Sequence, residues 1–384
     1  MIHRHNQRRG VIIPLAALLA VFLLGMVGFA VDVGWMVVSQ SELQNAADAA
    51  ALAGAGPLMD GHVLYNLPGN NGNQTTILAN AKTNARNKAK EYGGYNGAGG
   101  VNSLSILDGD IEFGFTDANG VYTASTALSG YPNTIKVTVR RDSTANGALT
   151  LFFGRALGQT TTTLTATASA TLFAGSLTSI PGPTLPLTYS QNDWNTFRST
   201  GRDADGDLSK DANGNPELLV FDSVKDSGNF GWLSMDNGSL AASTLRGWID
   251  NGVSQAEIDI LKDDGLIPLS SHPNAWDWQG KPGFTSSDVK QVNDHVGEIF
   301  VLPLYKPYSA TSPGDGNGSN YYYNVVEFVS VRLTAPDRNN RDIIVQPAPL
   351  VVANALLDPN NIVPAGTTAT STTTTIFAAP RLTR

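Results

Sequence analysis

Residues 11–55 read VIIPLAALLAVFLLGMVGFAVDVGWMVVSQSELQNAADAAALAGA, and the reading of this stretch decides how the rest of the chain is understood. Val11 to Val31 is an uncharged apolar run. As a helix it covers roughly 32 Å, enough to cross a hydrocarbon core. Asp32 ends the run, yet no helix breaker follows until Gly54, Gly56 and Pro57. One long helix is expected, embedded at its start and water-facing at its end.

Two parts of that helix carry candidate contacts. Asp32 falls near the outer membrane interface, and Trp35, one turn on, suits an interfacial aromatic. Asp32 reads either as a solvated boundary residue or as a charge paired with a neighbouring subunit, since acids at membrane depth need a partner. Further along, Leu43, Ala46, Ala47, Ala50 and Ala53 recur at helical spacing and form one smooth face. Glu42, Gln44, Asn45 and Asp48 mark the polar side. Small side chains let another element approach closely. The sequence leaves open whether that element is the chain's own domain or another subunit.

Charge orients the helix. Residues 1–10 contain Arg4, Arg8 and Arg9 and no acid, within a chain of net charge −8. A basic flank before an apolar span marks the cytoplasmic side, so the N-terminus is expected inside and the remainder outside. The apolar run exceeds a cleavable signal core of about 7–15 residues, which favours a permanent anchor in the cytoplasmic membrane. Small-x-small sites do occur at Gly28–Ala30 and Ala51–Ala53, where a cut would be accommodated. An acidic exported portion argues against nucleic acid as a partner. The absence of cysteine excludes disulfides and cysteine-based zinc sites.

The basic flank Arg8-Arg9-Gly10, the sequence AVDVG at 30–34 and LQNAADAAA at 43–51 together resemble the N-terminal segment of TadG-like proteins of the Tad (Flp, tight adherence) pilus-assembly system. A second similar block follows in YPNTIKVTVRR (131–141), LTLFFGRALG (149–158) and TLTATASATL (163–172). The resemblance spans roughly the first 175 residues. It implies a single-pass, pilin-like or minor-pilin subunit working with other pilus-assembly subunits. One departure stands out: prepilin precursors are cut after a glycine with a glutamate five residues on. Here Leu15 occupies that place after Gly10, with Pro14 before it.

The exported part divides at a change of texture. Thr75 and Thr76 precede a helical pattern in Ile77, Ala81, Ala85 and Ala89, with Lys82, Arg86, Lys88 and Lys90 on a basic face. The period then becomes two. Ile135, Val137 and Val139 alternate with polar residues, as do Ala166, Ala168 and Ala170, so an antiparallel sheet with one buried face is expected. Its natural cover is the alanine face of the first helix. Pro181, Pro183 and Pro186 suggest a stiff linker. Beyond them lie five of the six tryptophans, a composition that suits an independently folded domain. Ser254-Gln-Ala-Glu257 has a capping-box pattern, and strand alternation through Tyr321–Tyr323 would bury the middle tyrosine.

The expected architecture is α+β: a long N-terminal transmembrane helix packed as a pilin-like spine on an antiparallel sheet, followed by a second, mainly antiparallel α+β domain. In chain order this gives a basic cytoplasmic segment (1–10), the helix with its amphipathic extension (11–56) and a pilin-like exported domain (57–180). A proline-rich linker (181–187), an aromatic-rich domain (188–353) and a polar tail (354–384) complete it. The tail is expected to be flexible up to Thr375 or to supply a late edge strand.

One constellation has metal-ligand chemistry. Asp203, Asp205, Asp207 and Asp211 alternate through a glycine-containing loop, and calcium takes six to eight such oxygens. The EF-hand pattern fails, because Leu208 and Gly214 stand where its glycine and bidentate glutamate belong. The loop therefore reads as a solvated acidic turn or a calcium-stabilised one, and no other cofactor is expected. No nucleophile elbow, H-E-x-x-H or P-loop pattern occurs, so neither an enzyme nor a small-molecule substrate is expected. The functional expectation is an anchored structural or assembly subunit, retained in the membrane or carried into surface pili. The alternative is an anchored binding module or adhesin, calcium-stabilised at the acidic loop.

Overall fold

The computed structural model describes residues 12–125, 130–175, 177, 183–203, 206–221, 230–236, 238, 240–263, 276–283, 286–307, 315–317, 320–336, 342–352, 357, 362–367 and 375–383. Helix α1 (Ile12–Tyr65) is a single helix of 54 residues. It does not stop at Gly54–Pro57, where the breaker residues suggest an end. A mid-helix proline costs about 3 kcal/mol. Here the turns beyond Pro57 bury Leu58, Met59, His62 and Val63, and that packing outweighs the lost hydrogen bond. The glycines serve close approach rather than termination. A Cβ at Gly54 would lie 2.5 Å from Ile135 Cδ1, and one at Gly61 would lie 2.2 Å from the Tyr131 hydroxyl.

Helix α2 (Gln74–Gly94) returns antiparallel along α1 and buries Ala81, Ala85, Ala89 and Gly93 against it. Its basic residues find partners within the chain. Arg86 and Lys82 lie over the Phe113 ring, Lys88 pairs with Glu91 and Lys90 with Asp108. Strands β1 (Ile111–Thr116), β2 (Tyr122–Ala124) and β3 (Thr134–Arg141) follow. The short pair β4 (Leu149–Thr150) and β5 (Thr161–Thr162) comes next, then β6 (Leu164–Thr171) and β7 (Phe173–Ala174). β3 and β6 are antiparallel, with Ile135, Val137 and Val139 opposite Ala170, Ala168 and Ala166. All six are buried in one core with the alanine face of α1. The period-two reading and its proposed cover are both realised.

The second unit is built on β8 (Leu187–Ser190), α3 (Gln191–Thr200), β9 (Ser209–Lys210), β10 (Pro216–Phe221) and β11 (Phe230–Leu233). It continues through α4 (Ala242–Asn251), α5 (Gln255–Asp263), β12 (Trp276–Pro282) and α6 (Ser286–Asn293). Strands β13 (Ile299–Tyr305), β14 (Asp315–Asn317), β15 (Asn320–Leu333) and β16 (Ile343–Pro347) complete it. Five of these strands close on themselves. β12 pairs with β11, β11 with β8, β8 with β13, β13 with β15, and β15 with β12. Closure leaves those strands no free edge within the ring. The parallel β8–β13 pair is its one departure from antiparallel order.

Aromatic side chains fill this unit's core, with Tyr189, Trp232, Trp278, Tyr305 and Tyr323 almost fully buried. The Tyr323 side chain passes over Gly231 and Gly280, where a Cβ would come within 2.0 Å of its hydroxyl and 2.6 Å of its ring. Tyr323 pairs across the strands with Trp278. That register buries Tyr323 and leaves the middle tyrosine, Tyr322, partly exposed, the reverse of the expected alternation. Ser254 and Glu257 form the expected reciprocal capping box, and Glu257 also accepts a 2.7 Å bond from Trp248 Nε1.

The chain then goes back to where it began. β17 (Leu350–Val352), β18 (Val363–Pro364) and β19 (Ile376–Ala378) form a small sheet with β7, and β20 (Arg381–Thr383) pairs with β6 at the edge of the first sheet. Phe377 and Ala365 belong to the first core. The described end of the chain is thus structural, while residues 368–374 lie outside the described residues.

Candidate functional site

The site begins with a carboxylate in an awkward place. Asp32 lies on α1 between residues that face outward as bare hydrocarbon: Phe29 and Val31 before it, Val37 and Val38 after it. It is itself buried. Its Oδ1 accepts from the Phe152 N–H at 2.7 Å, its Oδ2 from Gly154 N–H at 2.6 Å, and Phe153 N–H is shared between both oxygens at 3.3 and 3.1 Å. These donors are the start of a short 3-10 turn, Gly154–Leu157, whose first N–H groups lack partners of their own. The carboxylate supplies them. The result is a clamp joining α1 to a loop 120 residues away.

Around the clamp the loop lies along the helix. Phe153 sits over Gly28, where a Cβ would come 2.9 Å from its ring, so a small residue is needed there. Phe152 meets Trp35, with ring centroids 5.8 Å apart. Asp32 and Trp35 therefore make the same intrachain contact. Leu43, Ala46, Ala47 and Ala50 are fully buried against α2 and the first sheet, so the chain itself covers the face whose partner the sequence left open.

Residues 10–56 match the Tad family, described as Flp pilus-assembly TadE/G-like, and residues 38–170 match the Tad_C family, described as Tad-like Flp pilus-assembly. The two matches overlap on α1 and run through α2, β1 and β3 into β6, the helix-on-sheet unit just described. By these two matches, residues 10–170 are TadE/G-like, of Tad/Flp pilus assembly. Membership in that system implies other Tad components as partners. Neither match reaches the closed aromatic unit, and no curated protein and no solved structure matches the chain.

The acidic stretch, beyond the TadE/G-like residues, is used for turns. Asp211 Oδ1 accepts from the N–H groups of Asn213 and Asn215, and its Oδ2 from the side chains of Asn215 and Gln346. These bonds hold the Asp211 carboxyl below its usual range against the opposing effect of burial, which is the largest single influence on it. Asp203 accepts from the Asp207 N–H in the same way, and Asp117 from Asn119 and Val121. Each turn contains a glycine at φ near +81° (Gly120, Gly206, Gly214). The pattern Asp-Ala-Asn/Asp-Gly is thus one turn used three times. Asp205 lies outside the described residues, and among the described residues no three His, Cys, Asp or Glu side chains converge as a metal site.

One residue escaped the sequence reading. His62 is buried between Tyr131 and Phe377, at ring distances of 5.6 and 5.8 Å, beside a cavity of about 260 Å³ lined also by Tyr65, Phe115 and Gly366. Burial, with a smaller contribution from the positive Arg198, lowers its pKa to about 4. It is neutral at pH 7. Nothing local marks it, because its surroundings come from β1, from the segment before β3 and from the chain's last strands. The Asp32 clamp was legible only in halves, as an acid in an apolar helix and as a similar block at 149–158.

Proposed function

We propose that the protein is a membrane-anchored structural or assembly subunit of a Tad/Flp pilus system, minor-pilin-like, with its N-terminus in the cytoplasm and both folded units outside the membrane. The observation that carries this reading is the continuity of α1. Its first half exposes apolar residues on all sides and is long enough to cross a membrane; its second half is the buried centre of the helix-on-sheet unit. Membrane and folded unit are therefore joined with no flexible hinge, so force or displacement along the helix reaches the sheet directly. The polarity follows from the basic residues before the span. Leu15, where prepilin processing needs a glutamate, favours a subunit retained in the membrane.

The test separates filament from membrane. Shearing cells that carry a tagged full-length chain, then probing sheared pili and membranes, is expected to leave the protein in the membrane fraction. Deletion is expected to abolish pili. Normal pili with lost attachment would instead identify an adhesin.

A further inference from the structure

We propose that the loop 151–158, LFFGRALG, is a second membrane contact, whose Phe152, Phe153 and Leu157 enter the outer leaflet beside α1. This rests on α1 crossing the bilayer, as proposed above. The loop exposes large apolar side chains to an unusual degree: Phe152 is 60 % exposed, Phe153 51 % and Leu157 85 %. It lies at the height of Gly28 to Trp35 on α1. Gly28 is one helical turn inside the end of the apolar run, about 6 Å below Asp32. If α1 is immersed to Val31, Phe153 over Gly28 is immersed with it. The exposed apolar band of the helix is continuous with the loop, since Phe29, Val31, Val37 and Val38 face outward at the same height.

Irregular backbone survives next to lipid only if its polar groups are satisfied within the protein. Six of the eight N–H groups of residues 151–158 meet that condition. Asp32 takes the N–H groups of Phe152, Phe153 and Gly154. Leu151, Ala156, Gly158 and Gln159 donate to the carbonyls of Thr160, Phe153, Arg155 and Gly154. The same bonds fill the acceptors of Asp32, which removes the main objection to a carboxylate at that depth. Residues 149–164 contain no acid, and the exposed Arg155 can extend to lipid phosphate while its stem stays among the apolar side chains. Lipid is the occupant chosen because the patch is continuous with the membrane-crossing surface rather than set apart from it.

The chain has no cysteine, so single labels are clean. The full-length protein carrying Leu157→Cys, labelled with an NBD fluorophore, is reconstituted in phosphatidylglycerol/phosphatidylethanolamine vesicles. Nitroxide-bearing lipid is expected to quench the label several-fold more than aqueous iodide does. A Leu19→Cys label serves as the anchor control. Quenching at 157 by iodide alone, with Leu19→Cys still quenched by lipid, would overturn the loop contact and leave the anchor standing. Iodide access at both positions would overturn both. Protection at 157 from both quenchers would mean that protein covers the loop, and would also overturn the proposal. Adding Asp32→Ala to the Leu157→Cys chain is expected to cut the lipid quenching several-fold; unchanged quenching would overturn the role of the clamp.

Discussion

At position 62 the fold holds an imidazole where a proton is unwelcome. Its folded pKa of about 4 lies below the ordinary 6.5, first because of burial and then because of Arg198. Between those two values the unfolded chain binds the proton and the folded chain does not. Stability from this group is therefore complete above pH ~6.5 and is lost as pH falls towards 4, by about 3 kcal/mol in total. Replacing His62 with Phe, which suits the aromatic neighbours Tyr131 and Phe377, should remove that loss. Denaturant unfolding of the detergent-solubilised chain at neutral and mildly acid pH measures it. The drop in stability on acidification should be about 2–3 kcal/mol smaller in His62→Phe; an equal drop would show that His62 is not held neutral.

Among the elements, α1 and the β3–β6 pair do most to define the first unit. Their contact depends on small residues on both sides, since Ala46, Ala47 and Ala50, the last of them beside Gly93 of α2, share one core with Ala166, Ala168 and Ala170 of β6. A buried, unpaired charge there should cost about 3–5 kcal/mol. Ala50→Glu is thus expected to speed limited proteolysis of the first unit while carbonate extraction still finds the chain in the membrane, because the apolar run is untouched. Leu52→Glu, on the half-exposed side of the same helix, should leave proteolysis nearly unchanged. Equal effects at 50 and 52 would contradict the packing described. These elements were legible in the sequence because each carries its period locally, 3.6 for α1 and two for the strands. The end of α1 was misread for a matching reason: breaker residues report local preference, and the packing of Leu58, Met59 and Val63 overrode it.

For the molecule as a whole, the last residues of the chain help to complete the first unit. Phe377 is fully buried in the first core, β20 extends β6, and the buried Asn133 side chain donates to the Ala365 carbonyl. A second tie joins the turn after α1 to the second unit, where Asn70 bonds to Asn215 and Gly69 packs on Pro216. Phe377→Ala should therefore cost about 3–5 kcal/mol. Its effect should register by hydrogen exchange in the amides of β3 and β6, although the substitution lies some 200 residues downstream of them; loss confined to β17–β19 would show that the tail is only an appendage. The sequence by itself determined the apolar run, the alanine face and the alternation that matches it, because these are patterns within one segment. Only the tertiary structure decided which surfaces meet: Asp32 with the loop at 152–154, His62 with Phe377, β20 with β6, and the closure of the aromatic ring. Those pairings join residues far apart in the chain, and a hydrogen-bonding or apolar residue carries no local mark of the distant partner that will satisfy it.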